Sequence, residues 1–504
     1  MTWPDVVALL PLVITGYAAV ALLVIGAYWR NHAGIGALAL AGLAAAFVAV
    51  FAAAPLAPRQ VTPLLRVDSM ALLFIGLFTA GGFAVAIFAH DYFRETPAGS
   101  EKFYALLLLA VAGMGVLAAS SHFASFFLGL ETLSISLYGL IGYTLGRKAS
   151  LEASLKYLVL AAASLSFLLL GMALVYFESG TMEFGALARG IAGGPTDPTP
   201  VLLVGLGLML VGFSFKLAVV PFHTWAPDVY QGAPAPISAL IATGSKAAVF
   251  VLMLRFLWAL GLGGTGGQPH SASSGQASTP TSLFALLQVL AIMTMFGGNL
   301  LALLQRNLKR LLAYSSIAHM GYLLIPLLAG GAYGASSFAF YFISYFITTI
   351  GAFGVVSVLS RPEAELEELE DYRGLGFRRP WLGGALALMM LSLAGAPPTI
   401  GFMAKFYIFA AAAHSSLWLL LVLGVINAGL AAYYYLRVLA VIYARPAVVA
   451  NSGPPAGAQR CRDGQLSART ALIVLSALVL VFGIYPAPLM SLAQRAWELW
   501  QGAP

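Results

Sequence analysis

Ionisable side chains occur inside long apolar stretches of this chain, where they could accept and release protons. The set comprises one glutamate and four lysines: Glu131, Lys156, Lys216, Lys246 and Lys405. A lysine at the centre of a bilayer costs about 2.5 to 3.5 kcal/mol on insertion scales, so several in one chain need a compensating role. Intramembrane ionisable residues are typical of ion or proton paths. These five residues are therefore our candidate catalytic residues for proton transfer.

Each candidate also has a structural interpretation. Glu131 and one lysine could form a buried structural ion pair, and Lys156 lies shallow enough for its ammonium group to reach the lipid headgroups. His223 and His319 form a second tier, because a neutral imidazole is cheap to bury and yet titrates near neutral pH. His319 suits either a proton relay or an ordinary buried position, whereas His223 lies close to Lys216 in the sequence. No metal-binding set is predicted.

The surrounding sequence is that of a polytopic membrane protein. Of 504 residues, 60% are hydrophobic and 9% are charged, whereas soluble domains carry about 25% charged residues. Apolar runs long enough to cross a hydrocarbon core about 30 Å thick recur along the chain. We predict an all-α fold with about 14 transmembrane helices. Their spans are 5–27, 35–53, 69–90, 103–119, 122–144, 151–177, 201–231, 234–261, 282–303, 308–330, 336–359, 381–414, 416–445 and 468–489.

Two of these spans, 201–231 and 381–414, are interrupted by proline. The prolines at the breaks are Pro221, Pro227, Pro397 and Pro398. Proline lacks an N–H and clashes with the carbonyl four residues earlier, so Pro221 and Pro227 are expected to leave the carbonyls of Leu217 and His223 unpaired. Such groups cannot face lipid, and the breaks therefore indicate a protein-enclosed or hydrated path. Asp228, after Pro227, is expected to cap a new helix.

The two breaks also suggest an internal repeat. Superposing Pro221 on Pro398 aligns a five-helix block at 101–261 with a second at 282–445. An odd number of crossings inverts the second block relative to the first, and interrupted helices at matching places in inverted repeats point to a transport site near the midplane. A three-helix segment (1–100) precedes the repeats, and a polar loop with a C-terminal helix (446–504) follows them. Segment 5–53 and loop 262–281 show no motif.

Basic residues set the expected orientation. With both termini on the outer side, sixteen lysines and arginines fall in inner loops, and only Arg59, Arg66, Arg189 and Arg495 fall outside. This distribution follows the positive-inside rule, and we predict a multi-pass protein of a bacterial inner membrane with periplasmic termini.

The acidic run 363–371 is expected to form a short, solvated surface helix. The one cysteine, Cys461, excludes a four-cysteine cluster on this chain alone.

Three stretches resemble a known family. They are "KLAVVPFHTWAPDVYQGAPAPISALIATGSKAAVF" (216–250), "LKRLLAYSSIAHMGY" (308–322) and "GAPPTIGFMAKF" (395–406). They are similar to the antiporter-like membrane subunits of respiratory complex I, and "PDVYQGAP" resembles subunit N, whose mitochondrial counterpart is NADH dehydrogenase subunit 2. The resemblance covers residues 60–445 in register.

The resemblance implies roles for individual residues. Glu131 would be the acidic residue of the fifth helix, and Lys156, Lys216, Lys246 and Lys405 the lysines of the sixth, seventh, eighth and twelfth. The chain would translocate protons as a non-redox subunit of an NADH:quinone oxidoreductase. No cofactor is expected on this chain; NADH, FMN, iron–sulfur clusters and quinone would belong to partner subunits. Other membrane subunits and the lipid bilayer are the expected partners, with no nucleic acid.

Two other functions remain open from the sequence. A subunit of a multisubunit cation/proton antiporter would use the same residues without redox chemistry, although "PDVYQGAP" argues against it. A non-conducting membrane scaffold is the second alternative, and the number of intramembrane ionisable residues argues against that interpretation.

Overall fold

The structure, a computed structural model, describes residues 2–29, 31–94, 101–144, 146–187, 199–260, 281–445 and 466–501. Arg189, Cys461, residues 262–280 of the predicted loop and the polar part of the C-terminal segment (446–465) lie outside the described residues.

The described chain is an all-α polytopic membrane fold, as predicted. Thirteen of its helices are long and apolar enough to cross a membrane, and two shorter ones together form the interrupted twelfth span. Apart from the short helical turns Ala54–Leu56, Leu369–Tyr372 and Leu375–Arg378, the helices of the described residues are α1 (Trp3–Tyr28), α2 (His32–Ala53), α3 (Ser69–Tyr92), α4 (Glu101–Ala119), α5 (Phe123–Ile141), α6 (Lys148–Ser179), α7 (Pro200–Leu217), α8 (Trp225–Gly232), α9 (Ala235–Ala259), α10 (Thr281–Leu303), α11 (Leu308–Ala329), α12 (Gly331–Leu359), α13 (Pro380–Ala394), α14 (Ile400–His414), α15 (Trp418–Ile442), α16 (Leu466–Ile484) and α17 (Ala487–Gln501).

The structure differs from the prediction at both ends of the chain. The last predicted span, 468–489, is too long, because α16 ends at Ile484 and Pro486 separates it from the amphipathic helix α17. Helix α17 buries Trp497 and leaves Arg495 exposed, so it lies against the protein along one face.

A short antiparallel hairpin, β1 (Arg59–Thr62) and β2 (Leu65–Val67), precedes α3. Strands of three or four residues are too short for a clear alternation of apolar and polar residues.

The centre of the bundle is formed by α9, α11 and α12. The apolar segments of these three helices are almost completely buried within the protein. In α1, α6 and α16, by contrast, most residues of the apolar segment are not fully buried. Lys246 on α9 and His319 on α11 are therefore surrounded by protein and shielded from lipid. This position allows polar side chains of neighbouring helices to compensate for the cost of burying them.

The acidic segment 363–371 does not form the expected solvated helix. Only Leu369–Tyr372 adopts a single 3-10 turn. The Glu365 side chain is fully buried, 2.6 Å from the Lys309 ammonium and 2.8 Å from the Arg147 guanidinium. The prediction was wrong because a run of acidic residues looks solvated when its cationic partners lie far away in the sequence.

Candidate proton-transfer site

The first break separates α7 from α8. Helix α7 ends at Leu217, Ala218 adopts the left-handed conformation with a φ of 57°, and α8 begins at Trp225. The indole Nε1 of Trp225 donates a hydrogen bond to the Phe215 carbonyl at 2.9 Å. The same carbonyl also accepts from the Ala218 N–H at 3.0 Å, so two hydrogen bonds from residues of the break and of α8 fix the end of α7.

Two expectations for this break were wrong in detail. The carbonyl of His223 is paired, because it accepts a hydrogen bond from the Ala226 N–H at 3.0 Å. Pro227 lies inside the first turn of α8, where a missing N–H costs little. Asp228 makes no capping bond; its carboxylate binds the Arg310 guanidinium at 2.7 Å and the Lys156 ammonium at 3.0 Å. Pro221 lies in the gap between α7 and α8, where it is exposed.

The second break separates α13 from α14. Helix α13 ends at Ala394, and Gly395 takes a φ of 84°, a conformation that glycine adopts without strain. Pro397 and Pro398 follow in the gap. The Lys405 ammonium, on α14, donates to the carbonyls of Leu393 at 3.0 Å and Ala394 at 2.8 Å. This lysine therefore caps the half-helix that precedes its own break.

The three lysines at and beside these breaks share one arrangement. Lys216 is 9% exposed, Lys246 0% and Lys405 6%. Each ammonium group donates to neutral oxygens, and each lies between 5.3 and 5.8 Å from the centre of a tyrosine ring. Among the described residues, none of the three has a carboxylate within 4.0 Å. Neutral dipoles stabilise a buried ammonium less than a carboxylate does, so this arrangement suits reversible protonation.

Lys216 contacts a serine on α5, the helix that carries Glu131. The Lys216 ammonium donates to the Ser134 hydroxyl at 2.7 Å. Ser134 follows Glu131 by three residues on α5, so the two side chains share a helix face. Glu131 is only partly buried, and it has no ion-pair partner in the described part of the chain. Within the described residues, Glu131 therefore does not form the direct ion pair with a lysine that the sequence left open. Any effect of Glu131 on Lys216 must act over a longer distance.

A second serine connects the two predicted repeats. The Lys246 ammonium, on α9, donates to the Ser316 hydroxyl on α11 at 2.6 Å. A π-helical turn, Ile241–Ser245, directly precedes Lys246, and such turns are frequent at functional sites. Ser316 also contacts the Tyr230 hydroxyl at 3.2 Å. The bond between Lys246 and Ser316 therefore crosses from the first block to the second.

His319 continues this polar region toward Lys405. It lies three residues after Ser316 on the same face of α11. Its Nδ1 is 2.7 Å from the Tyr341 hydroxyl, and its Nε2 is 3.3 Å from the Tyr435 hydroxyl. His319 and Lys405 line one small cavity, which has room for about one water molecule. The structure thus brings His319 next to the second break.

The remaining candidates lie apart from this group. Lys156 is exposed on α6, where it pairs with Glu152 at 2.7 Å and with Asp228. His223 is half-buried in the first gap, and its Nδ1 has no hydrogen-bond partner in the part of the chain that the structure describes. Their assignment to a proton path stays a prediction.

Sequence reasoning missed the neutral partners of the lysines. Ser134 and Ser316 each lie three residues from a predicted site residue, Glu131 and His319, on the same helix. Such spacing could have drawn attention to them, because residues three apart share a helix face. Serine and threonine are common in this chain, however, and the tyrosine rings that lie over the lysines belong to other helices. The contacts of the lysines could therefore be identified only from the structure.

Comparison with known proteins shows the family to which the chain belongs. Residues 120–431 match the family described as "NADH:quinone oxidoreductase/Mrp antiporter, TM". A chain of respiratory complex I from Thermus thermophilus, solved with bound aureothin, is 34% identical, with a TM-score of 0.78. The match covers 96% of this chain and 99% of that one.

Two further solved structures have the same fold. One is a chain of the membrane-bound sulfane sulfur reductase, an archaeal respiratory membrane complex, with 25% identity, a TM-score of 0.82 and coverage of 98% of each chain. The other is a chain of the Mrp complex from Dietzia sp. DQ12-45-1b, with 20% identity and a TM-score of 0.81, covering 98% of this chain and 97% of that chain. All three relatives are chains of membrane complexes.

Proposed function

Because the chain belongs to the family of membrane subunits found in NADH:quinone oxidoreductases and Mrp antiporters, we propose that it translocates protons as subunit N of a respiratory complex I. The observation that supports this proposal best is the set of Lys216, Lys246 and Lys405, which are buried without carboxylate partners among the described residues. A purely structural lysine would gain from such a partner, as Lys309 gains from Glu365.

The proposed path enters near Glu131 and Lys216 and leaves near Lys405. Burial disfavours the charged form of a lysine, and a nearby carboxylate favours it. A shift of Glu131 relative to Ser134 and Lys216 would therefore make that lysine hold or release a proton. Lys246 would receive the proton by way of water and pass it toward Ser316.

From Ser316 the proton would continue to His319, whose imidazole can both donate and accept. The cavity between His319 and Lys405 provides the last transfer within the protein. Release of a proton from Lys405 would weaken the cap on the Leu393 and Ala394 carbonyls. The charge of Lys405 would thus be linked to the geometry of the second break.

Electron transfer belongs to partner subunits in this proposal. NADH, FMN, iron–sulfur clusters and quinone would be bound there, and the energy of quinone reduction would reach this chain through conformational change. The partners would be a neighbouring antiporter-like subunit and small membrane subunits. The setting would be a bacterial inner membrane with both termini on the periplasmic side.

A cation/proton antiporter of the Mrp type is the second candidate function, because the matching family includes such proteins. Identity to the complex I chain is 34%, against 20% for the Mrp chain, and this difference favours complex I. Purifying the tagged chain from its native membrane separates the candidates. We expect NADH-oxidising partners and NADH-driven acidification of vesicles. Recovery without NADH-oxidising partners, together with exchange of protons for sodium or potassium, would contradict the proposal.

The first break allows a specific prediction. Replacing Pro221 with Ala restores an N–H and removes a steric clash, so the gap between α7 and α8 should shorten and the hydrated path should narrow. Because Trp225 still holds the Phe215 carbonyl, closure should be incomplete. We expect normal assembly and translocation lowered about two- to fivefold.

Proton translocation per assembled complex is the appropriate measurement for this variant. Replacing Trp225 with Phe removes the Nε1–H that binds the Phe215 carbonyl. The double variant Pro221→Ala/Trp225→Phe should therefore close the gap further and translocate fewer protons than Pro221→Ala alone. Unchanged translocation in assembled Pro221→Ala would mean that the break serves packing alone.

A further inference from the structure

A buried ionic cluster joins four segments of the chain at one end of the bundle. Its centre is Glu365, in the linker between α12 and α13. The Lys309 ammonium at the start of α11 lies 2.6 Å from this carboxylate, and the Arg147 guanidinium before α6 lies at 2.8 Å. The Tyr92 hydroxyl on α3 donates to it at 2.7 Å. The linker is thereby fixed to helices of the first block and of the N-terminal segment.

The cluster also binds both sides of the turn between α8 and α9. The Lys309 ammonium donates to the carbonyls of Gln231 at 3.0 Å and Ala233 at 2.5 Å, at the end of α8. Glu365 accepts from the Ala235 N–H at 2.9 Å, at the start of α9. Helix ends leave such carbonyls and N–H groups without intrahelical partners. One ion pair therefore caps the two helices that meet at this turn.

The charges of the cluster depend on one another. The side chains of Glu365 and Lys309 are both 0% exposed. Burial alone would raise the pKa of Glu365, but Lys309 and Arg147 outweigh this effect and hold the pKa below its usual range. Removing one partner from a buried ion pair leaves an uncompensated charge, whereas removing both partners is often tolerated.

The turn held by this cluster lies between two functional segments. Helix α8 connects the turn with the first break, because it begins at Trp225, eight residues before Ala233. Helix α9 leads through the π-helical turn Ile241–Ser245 to Lys246. A displacement of the turn would therefore move the break and Lys246 together. The linker and Lys309 belong to the second block, so the cluster makes this placement depend on the other repeat.

We propose that Glu365 is a positioning residue for proton transfer: through Lys309 it fixes the turn between α8 and α9, and so places Lys246 relative to the first break. This inference rests on the proposed function. Neither residue carries the proton in this account. Displacement of the linker would instead change the alignment of the path in the first block.

The test uses the complex purified with its partner subunits. Glu365→Gln keeps the shape and an acceptor for the Ala235 N–H, but it removes the carboxylate that forms the direct ion pair with the buried Lys309 ammonium. The double variant Glu365→Gln/Lys309→Met removes both charges and also the cap on the Gln231 and Ala233 carbonyls. Glu370→Gln is the matched control, because Glu370 lies in the same linker and forms an exposed ion pair with Arg373.

Two quantities are measured for every variant: hydrogen exchange of the backbone amides in 229–240, and protons translocated per NADH oxidised. We expect the double variant to assemble, to exchange these amides at least about tenfold faster, and to lose at least about half of its protons per NADH. The Glu370→Gln control should match wild type in both quantities. A merely structural role would lower the amount of complex and leave the proton ratio unchanged.

Three outcomes would overturn the inference. They are failure of the double variant to assemble, a normal proton ratio despite faster exchange, and a lowered ratio with unchanged exchange. A parallel Lys246→Ala variant tests the proposed function by itself. If Lys246→Ala translocates normally, the proposed function fails, while the exchange measurement still reports whether Glu365 fixes the turn.

Discussion

Lys216→Ala and Lys405→Ala are each expected to lower NADH-driven proton translocation by at least about tenfold, because each removes a proposed proton-transfer group. The two variants should fail at different steps. Lys216 contacts Ser134, beside Glu131, so its loss should prevent loading of the path. Lys405 lines the cavity beyond His319, so its loss should allow loading and delay release.

Proton uptake and release, followed separately during a limited turnover, distinguish these failures. Lys216→Ala should show neither uptake nor release. Lys405→Ala should show uptake at the entry side with slow release on the other side. Lys148→Ala is the matched control, because Lys148 is exposed at the start of α6. Identical behaviour of the two variants at the uptake step would contradict the assigned order of the path.

Glu131→Gln should leave assembly intact and lower translocation about two- to tenfold, with a parallel decrease in coupled NADH oxidation. Glutamine keeps the size of the side chain and removes its charge, so Lys216 loses the carboxylate that favours its charged form. Glu131 is half-buried and shares a face of α5 with Ser134. The effect should therefore be smaller than that of removing Lys216 itself.

The matched control for this variant is Glu178→Gln, because Glu178 is exposed near the end of α6. It should translocate like wild type. If the assembled Glu131→Gln complex also translocated at the wild-type rate, Glu131 would have no part in switching Lys216.

Hydropathy and the cost of burying charge were enough to predict much of this fold. Apolar runs predicted all fourteen spans, and adjacent prolines predicted the gap after α13. The position of Lys246 and Lys405 inside apolar spans was also evident from the sequence, and both side chains are buried. Each of these features depends on local sequence, which explains why it could be predicted from the sequence alone.

Features that depend on contacts between distant segments could not be predicted in this way. Glu365 is buried because Lys309 and Arg147, which lie 56 and 218 residues earlier, surround it. Lys156 is exposed because α6 turns that face outward, and hydropathy does not report which face of an apolar helix is covered. The partners of Lys216 and Lys246 come from α5 and α11. Pairings of this kind are set by helix packing.

The central claim is that the buried lysines change their protonation state during turnover. Lys405 gives the sharpest test, because its structural alternative is specific: the ammonium group caps the carbonyls of Leu393 and Ala394. Arginine keeps a positive charge and several N–H donors, but it cannot release its proton. Lys405→Arg therefore separates capping from proton transfer.

The measurement is the rate of NADH-driven lumen acidification by vesicles that contain equal amounts of assembled wild-type, Lys405→Arg or Lys148→Arg complex. We predict that Lys405→Arg is at least as defective as Lys405→Ala and that the exposed control, Lys148→Arg, is normal. Acidification by Lys405→Arg at the wild-type rate would contradict reversible protonation at this position and would make Lys405 a structural cap.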